Sequence, residues 1–540
     1  MSKETKKRFG AMLDMSRNGV MKVEQVKKIA QMLAAFGYNT LLLYTEDTYE
    51  VDGEPYFGLF RGRYSKEELK ELDCFCLSIG IELIPCIQTL AHLNQIFIWA
   101  VYHDHIHDTG DVLLVEEERT YQLLDRMFKT LRECFSSDRI HIGLDEATQL
   151  GRGRYEMKHG KQNQFELFQR HLGKVVSLAK NHGFRPMMWS DMIVRMVQNG
   201  GYSDGEEFIL PDEVKEKIPQ DVGLVYWSYY GKDTERYRDM IKSHQRLNNE
   251  LWFAGGTLCW LGFSPNNQEA IDCMSKAMIA CREEKVNNVI MTMWGDNGKE
   301  CSYYSSLPSL YAIKRIYDGE TDMKKVEEEF ERIVGERFSD MLYLDKPNYV
   351  GGNDYALLNM AKAMFYTDPF LGYFDTTVQD GVAEEYRQAA VRFFEMCKGQ
   401  FSYLYAYMGA LCDFLSVKYD LGWRTYCAYK KADKTELKKV ISCYGLAIEK
   451  LDVFFGAFRT VWFTENKPHG FEVQEQRIGG LRFRLLCAKN RLQEYVDGKA
   501  KTIPELEEPR LDYYGNGEQE YGKKAPWSYQ WNVTATSNIL

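Results

Sequence analysis

Two carboxylates stand side by side at Asp145-Glu146, directly after the run Ile140-His141-Ile142-Gly143-Leu144, which reads as a buried strand over 139–145. Side chains alternate along a strand, so neighbouring carboxylates leaving its end point in different directions and meet different surroundings. That asymmetry suits acid/base chemistry, in which one group works as a protonated donor and the other as an ionised stabiliser. An isolated Asp-Glu pair is also what a solvated acidic turn looks like. The weight therefore falls on the ends of the other apolar runs.

Those ends carry Asp14 with Arg17, Glu46 with Asp47, Gln88 with His92, Trp189 with Asp191, Trp227 with Tyr229, Trp260, and Trp294 with Asp296. A single tryptophan at such a place is ordinary core packing. Tryptophans at the last four ends instead suit a carbohydrate pocket, because aromatic faces stack on the apolar faces of sugar rings. His103-Asp104-His105-Ile106-His107 offers the His-x-His spacing that binds zinc. With only ten histidines in the chain, no other end supplies a convergent set, so this stretch reads as a solvated loop and no metal or cofactor is expected.

The elements that must position these residues are short and regularly spaced. Strands are predicted at 9–14, 39–44, 81–87, 139–145, 185–190, 223–229, 251–256 and 286–294. Amphipathic helices fall between them, at 23–36, 66–79, 120–135, 164–181 and 268–284. Strands alternating with helices imply parallel βαβ units, and eight repeats close a TIM barrel over residues 1–325, with chemistry at the C-terminal strand ends. From 326 to 500 helical stripes of Leu, Phe, Tyr and Met replace strands, which predicts an α-helical domain. Within it, residues 462–481 read as a polar, Gly-punctuated loop whose Glu465, Asn466 or His469 could reach a site. Residues 501–540 read as an extended C-terminal tail.

Composition bounds the partners. The 540 residues are 45% hydrophobic and 14% aromatic, a globular balance, and the net charge of −10 lacks the basic footprint of nucleic-acid or anionic-membrane binding. A neutral substrate is favoured over a polyanion. No uninterrupted apolar run is long enough to cross a bilayer, and the charged start runs into Phe9-Gly10-Ala11-Met12-Leu13 without an apolar targeting segment. Thirteen scattered cysteines without CxxC pairs read as reduced thiols. Cytoplasmic residence is the expectation, and the aromatic-rich helical domain suits a homodimer.

His141-Ile142-Gly143-Leu144-Asp145-Glu146 resembles the His-x-Gly-x-Asp-Glu signature of glycoside hydrolase family 20, the β-N-acetylhexosaminidases. Further motifs follow in family order. Leu13-Asp14-Met15-Ser16-Arg17 resembles Leu-Asp-x-x-Arg, whose arginine holds the sugar O3 and O4. Glu46-Asp47 resembles an acidic pair that begins with aspartate in the family. The stretch from Ile84 to His92 runs in register with Ile-Pro-Glu-Ile-Asp-x-Pro-Gly-His. Trp189 and Trp227 match strand-end tryptophans, and Trp294-Gly295-Asp296 matches Trp-x-Glu, whose carboxylate holds O4 and O6.

Departures from the pattern are specific. Gln88 replaces the aspartate partner of the family histidine, which should leave His92 less basic. The stretch from Gly255 to Trp260 lacks the family tyrosine that binds the acetamido oxygen, and Tyr229 or Tyr230 is the nearest replacement. The small α/β domain that commonly precedes the barrel is not seen. These departures suggest a divergent branch with the same chemistry.

The resemblance implies an exo-acting enzyme removing terminal β-linked N-acetylglucosamine or N-acetylgalactosamine from an oligosaccharide or glycoconjugate by substrate-assisted retaining hydrolysis. Glu146 would be the general acid, and Asp145 would orient the 2-acetamido group that attacks C1 and forms an oxazolinium intermediate. Two alternatives keep the barrel. One is a two-carboxylate retaining glycosidase with Glu46 or Asp296 as nucleophile, and the other is a non-catalytic sugar-binding protein.

Overall fold

The computed structural model describes residues 7–197, 208–209, 211–352, 359–372, 374–513, 515 and 530–538. Eight strands form a closed, fully parallel barrel: β1 (Arg8–Asp14), β2 (Thr40–Tyr44), β3 (Glu82–Cys86), β4 (Arg139–His141), β5 (Arg185–Trp189), β6 (Gly223–Trp227), β7 (Leu251–Gly256) and β8 (Asn288–Met293). Closure is made by β8 on β1, with Arg8 opposite Asn288 and Leu13 opposite Met293. A strand covered on both faces has no solvent side to mark with polar residues, so it reads as a continuous apolar run. All five residues of β2 are buried accordingly.

Helices cover the barrel between strands. Val23–Ala35, Lys66–Ser78, Glu118–Cys134, Gln164–Asn181 and Asn267–Glu283 lie within one or two residues of the predicted ranges. The second starts on a reciprocal cap in which Ser65 Oγ accepts the Glu68 N–H and the Glu68 carboxylate accepts the Ser65 N–H. β4 is shorter than predicted. It stops at His141, because Gly143 and Leu144 take left-handed φ values of 72° and 74° that no strand continues.

The described chain divides into two compact units. One comprises residues 1–257, 270–294 and 309–335 and holds the barrel. The other comprises 258–269, 295–308 and 336–540, and its described part is helical, with Val382–Glu395, Ser402–Lys418, Leu421–Lys430, Lys434–Glu465 and Phe471–Val496 as the longer helices. Its core is aromatic: Phe365 packs on Phe414 and Phe454 with ring centroids 4.8 and 4.9 Å away, and Tyr407 stacks on Phe458 at 5.1 Å.

The loop predicted at 462–481 is not a loop. Lys434–Glu465 and Phe471–Val496 are continuous helices joined by five residues. Gly479 and Gly480 lie inside the second, where packing of Ile478, Leu481 and Leu485 outweighs the helix cost of about 1 kcal/mol per glycine. Glu465 is fully buried and accepts hydrogen bonds from Ser302 Oγ (2.5 Å) and Tyr403 Oη (3.0 Å), so it is a structural acid.

The tail reading falls largely outside the described residues, which include short helices at Pro504–Glu507 and Trp531–Ala535. His103 and His105 lie on the helix Ala100–Ile106, not in a loop, and His107 begins a two-stranded hairpin. All thirteen cysteines are free. Among the described residues no helix is long and apolar enough to cross a membrane.

Candidate active site

Asp145 and Glu146 follow β4 on a backbone bent into the left-handed region, with φ of +51° at Glu146 itself. Such a conformation costs about 1–2 kcal/mol per non-glycine residue, and local hydrogen bonds hold it here. Gly143 N–H donates to His141 Nδ1 (3.1 Å), Leu144 N–H to Gln88 Oε1 (3.3 Å), and Glu146 N–H to Asp191 Oδ2 (3.1 Å). Gly143 is required by space as well. A Cβ there would come within 2.0 Å of Gln88 Oε1.

The bend separates the two acids. Asp145 is buried, whereas Glu146 is exposed. Gln88 Nε2 donates to Asp145 Oδ1 (2.8 Å), and His92 Nε2 faces Asp145 Oδ2 at 3.2 Å and Glu146 Oε2 at 3.6 Å. Asp111 Oδ2 flanks His92 Nδ1 at 3.6 Å and accepts the His92 N–H. Burial alone would raise the Asp145 carboxyl, but the His92 charge and hydrogen bond, with Gln88, outweigh it and hold Asp145 below its usual range.

Gln88 carries no charge, yet His92 is more basic than a free imidazole. Burial opposes its charge, yet Asp145 outweighs burial and lifts His92 to about 9. The lost partner in the motif is replaced by the neighbouring acid itself. His141, by contrast, is fully buried and pushed down to about 3, so it stays neutral against Trp189, whose ring centroid lies 4.3 Å away.

A second chain of contacts runs through β1 and β2. Arg17 Nη1 pairs with Asp14 Oδ2 (3.1 Å), and Nη2 lies 3.5 Å from Glu46 Oε1. Tyr44 Oη donates to Glu46 Oε1 (2.9 Å) and accepts from Gln88 Nε2 (3.0 Å), which links this group to Asp145. Burial raises the Glu46 carboxyl, with Arg17 and His92 offsetting part of the rise. Its neighbour Asp47 turns away to Arg61, 3.3 Å distant. The Arg17 guanidinium lies 4.8 Å from the Trp294 ring centroid, and Trp294 Nε1 donates to Tyr229 Oη (3.0 Å). Tyr229 stacks on Trp227 at 5.4 Å, and Trp189 lies 6.0 Å from Trp294.

The barrel unit therefore joins Arg17, Glu46, His92, Asp145, Glu146, Trp189, Trp227, Tyr229 and Trp294 through an unbroken set of contacts. Trp260 and Asp296 belong to the segments 258–269 and 295–308, which group with the helical unit. There the Asp296 charge is one of those acting on the buried Lys362.

Two residues were missed as site members. Asp191 is fully buried after β5, accepts the Glu146 N–H, pairs with Arg195 Nε (3.2 Å), and has an Oδ1 with no hydrogen-bond partner among the described residues. Burial and the charge of Asp145 raise its carboxyl. Arg195 Nη2 lies 3.7 Å from Glu146 Oε1. The available signal was an arginine four residues after Trp189-Ser190-Asp191, on one face of a helix start.

His92, Asp145 and Glu146 are the one trio of metal-ligating side chains, among the described residues, with donor atoms within 4.8 Å of one another. Their ion pairing accounts for that closeness. The arrangement as a whole offers an exposed acid beside a buried, ionised carboxylate on an aromatic wall. That is suited to delivering a proton to a bond while stabilising positive charge next to it.

Comparison with known proteins agrees with the order of these parts. Residues 8–236 match the family model for the glycosyl hydrolase family 20 catalytic domain, and residues 336–525 match that for the Glycoside Hydrolase 20C C-terminal domain. Human (Homo sapiens) Hexosaminidase D is 26% identical over 217 residues, covering 38% of this chain and 42% of that protein. The Bos taurus Hexosaminidase D is 25% identical over 245 residues, covering 43% and 66%. The chain thus aligns with less than two thirds of the length of these relatives. The solved β-N-acetylhexosaminidase from Bacteroides fragilis NCTC 9343 is 19% identical, with a TM-score of 0.48 over 62% of this chain and 71% of that one. With one model of the family on the barrel and a second on the helical unit, this chain belongs to glycoside hydrolase family 20.

Proposed function

We propose that the protein is an exo-acting β-N-acetylhexosaminidase that removes terminal β-linked N-acetylglucosamine or N-acetylgalactosamine by substrate-assisted, retaining hydrolysis. The observation that carries the reading is the unequal environment of two adjacent acids. Asp145 is buried and kept ionised by His92 and Gln88, and Glu146 is exposed beside it. The names of the curated relatives, both Hexosaminidase D, point the same way.

In this mechanism Glu146 protonates the glycosidic oxygen and later takes a proton from the incoming water. Asp145 accepts a hydrogen bond from the acetamido N–H, which aims the acetamido oxygen at C1 and stabilises the oxazolinium charge. The sugar supplies the nucleophile, so no second enzymic carboxylate is needed. Glu46 fits poorly as a nucleophile, since Tyr44 and Arg17 already occupy its Oε1 and burial disfavours its charge. Arg17, Trp227, Trp294 and Tyr229 are assigned to holding the terminal sugar, with Tyr229 taking the acetamido oxygen.

A panel of 4-nitrophenyl β-glycosides with and without the 2-acetamido group tests the reading. Cleavage confined to the acetamido sugars, with competitive inhibition by a thiazoline analogue of the intermediate, supports it. Covalent trapping by a 2-fluoro sugar would instead establish the two-carboxylate alternative.

A further inference from the structure

Beside Glu146 lies an open recess of about 450 Å³, walled in part by Thr148, Arg152, Lys161, Phe165, Met192 and Arg195. Its inner wall is built on the acid itself. Thr148 N–H donates to the Glu146 carbonyl (2.6 Å), and Arg195 reaches to 3.7 Å from Glu146 Oε1. Met192 follows Asp191, which accepts the Glu146 N–H. Gln164 Nε2 ties the far wall to this one through the Thr148 carbonyl (2.9 Å). A general acid must face the oxygen of the departing group, and Thr148 and Arg195 tie this recess to Glu146, so it is the space beside that acid able to receive the departing group.

The charge of the recess is one-sided. Arg152, Lys161 and Arg195 line it, and no carboxylate does among the described residues. Arg195 is engaged by Asp191 and Glu146, but Arg152 and Lys161 are exposed and form no ion pair among the described residues. Phe165 and Met192 add apolar surface of the kind that meets the carbon face of a pyranose. The molecule as a whole carries a net charge of −10, yet screening confines charges to roughly 10 Å, so these local cations decide what binds here.

We propose that this recess is the subsite for the leaving group and that it selects an anionic one: a sugar carrying a single carboxylate or sulfate within one ring of the scissile bond. The proposal rests on the reading of Glu146 as the general acid. It adds a substrate class to the terminal N-acetylhexosamine, and a single local anion is compatible with the disfavour toward long polyanions that the net charge of −10 implies.

The test compares kcat/KM for three disaccharides that share a non-reducing β-1,4-linked N-acetylglucosamine and carry glucose, glucuronate or glucose 6-sulfate at the reducing end. Exposed cations are weak, solvent-screened partners, so an anionic substrate should be favoured roughly tenfold at low salt. The preference should fall to within about twofold in about 0.5 M salt, where screening is strong. The double variant Arg152→Gln/Lys161→Gln should bring the ratio of anionic to neutral close to one, and Arg152→Lys/Lys161→Arg should restore it.

Preference for both acids, or for only one of them, supports the subsite and says which anion it takes. A wild-type ratio near one, or a preference that survives the glutamine variant, overturns the proposal. If none of the three substrates nor an aryl β-N-acetylglucosaminide is cleaved, the hexosaminidase reading fails instead.

Discussion

His92 Nε2 stands 3.2 Å from Asp145 Oδ2, which sets its charge against the buried member of the adjacent acid pair, not against the residue that the sequence motif designates as its partner. One imidazolium thereby lies within 4 Å of both acids. It keeps Asp145 ionised with the uncharged Gln88 at the motif position, where a buried carboxylate would have had to be neutralised in turn.

That ion pair links stability to pH. His92 titrates near 9 in the folded protein against a usual 6.5, so its contribution is complete below pH 6.5 and is lost as pH rises through about 9. The span corresponds to a contribution on the order of 3 kcal/mol, shared with Asp145 and not additional to it. Thermal melts of the wild type and His92→Gln should differ most at or below pH 6.5 and converge above about pH 9.

Asp191 follows the opposite chemistry with the same sign. Its carboxyl is raised above 3.8, so whatever it contributes is present at low pH and fades as pH rises through the raised value. Urea melts should show Asp191→Asn gaining on the wild type as pH increases. Asp191→Ala leaves the Glu146 N–H and Arg195 without this acceptor, and kcat should fall roughly tenfold or more because the proton donor is no longer held in place.

Gly143→Ala places a methyl 2.0 Å from Gln88 Oε1 at a φ of +72°. The displaced Gln88 would release Asp145 and Tyr44 together. A loss of about 2 kcal/mol or more is expected in denaturant melts, with activity reduced even at temperatures where the variant is folded.

Glu146→Gln and Asp145→Asn separate the two roles. Each should lower turnover by at least about 10²-fold on a substrate with a poor leaving group. On an activated aryl glycoside, Glu146→Gln should recover much of its loss while Asp145→Asn should not, because an activated leaving group needs no proton but the acetamido group still needs aiming. Steady-state rates across a series of substituted phenols read this directly.

The barrel was legible because its physics is repetitive. Strands buried on both faces, such as Thr40–Tyr44, show as unbroken apolar runs, and the helices between them show a 3.6-residue stripe. The paired acids and the tryptophans were legible as residue types at strand ends. What linked them was not. The true end of β4 depended on left-handed φ values at Gly143 and Leu144, the second of which no local preference announces. The His92–Asp145 pair depended on the fold bringing β3 and β4 together, and Asp191 was seen only as a neighbour of Trp189. The helical stretch around Gly479 and Gly480 was misread because two glycines weigh heavily in a local window and tertiary packing overrode them.

The claim on which the account depends is that the acetamido oxygen of the substrate attacks C1. The most direct measurement is kcat/KM for 4-nitrophenyl β-glucosaminides whose 2-acetamido group carries zero, one, two or three fluorines, since each fluorine weakens that oxygen as a nucleophile and leaves the leaving group unchanged. The account predicts a steep, monotonic fall, on the order of 10²-fold or more across the series, the scale of a group acting in the transition state. Rates that stay level across the four substrates would contradict it and return the nucleophile to a carboxylate of the protein.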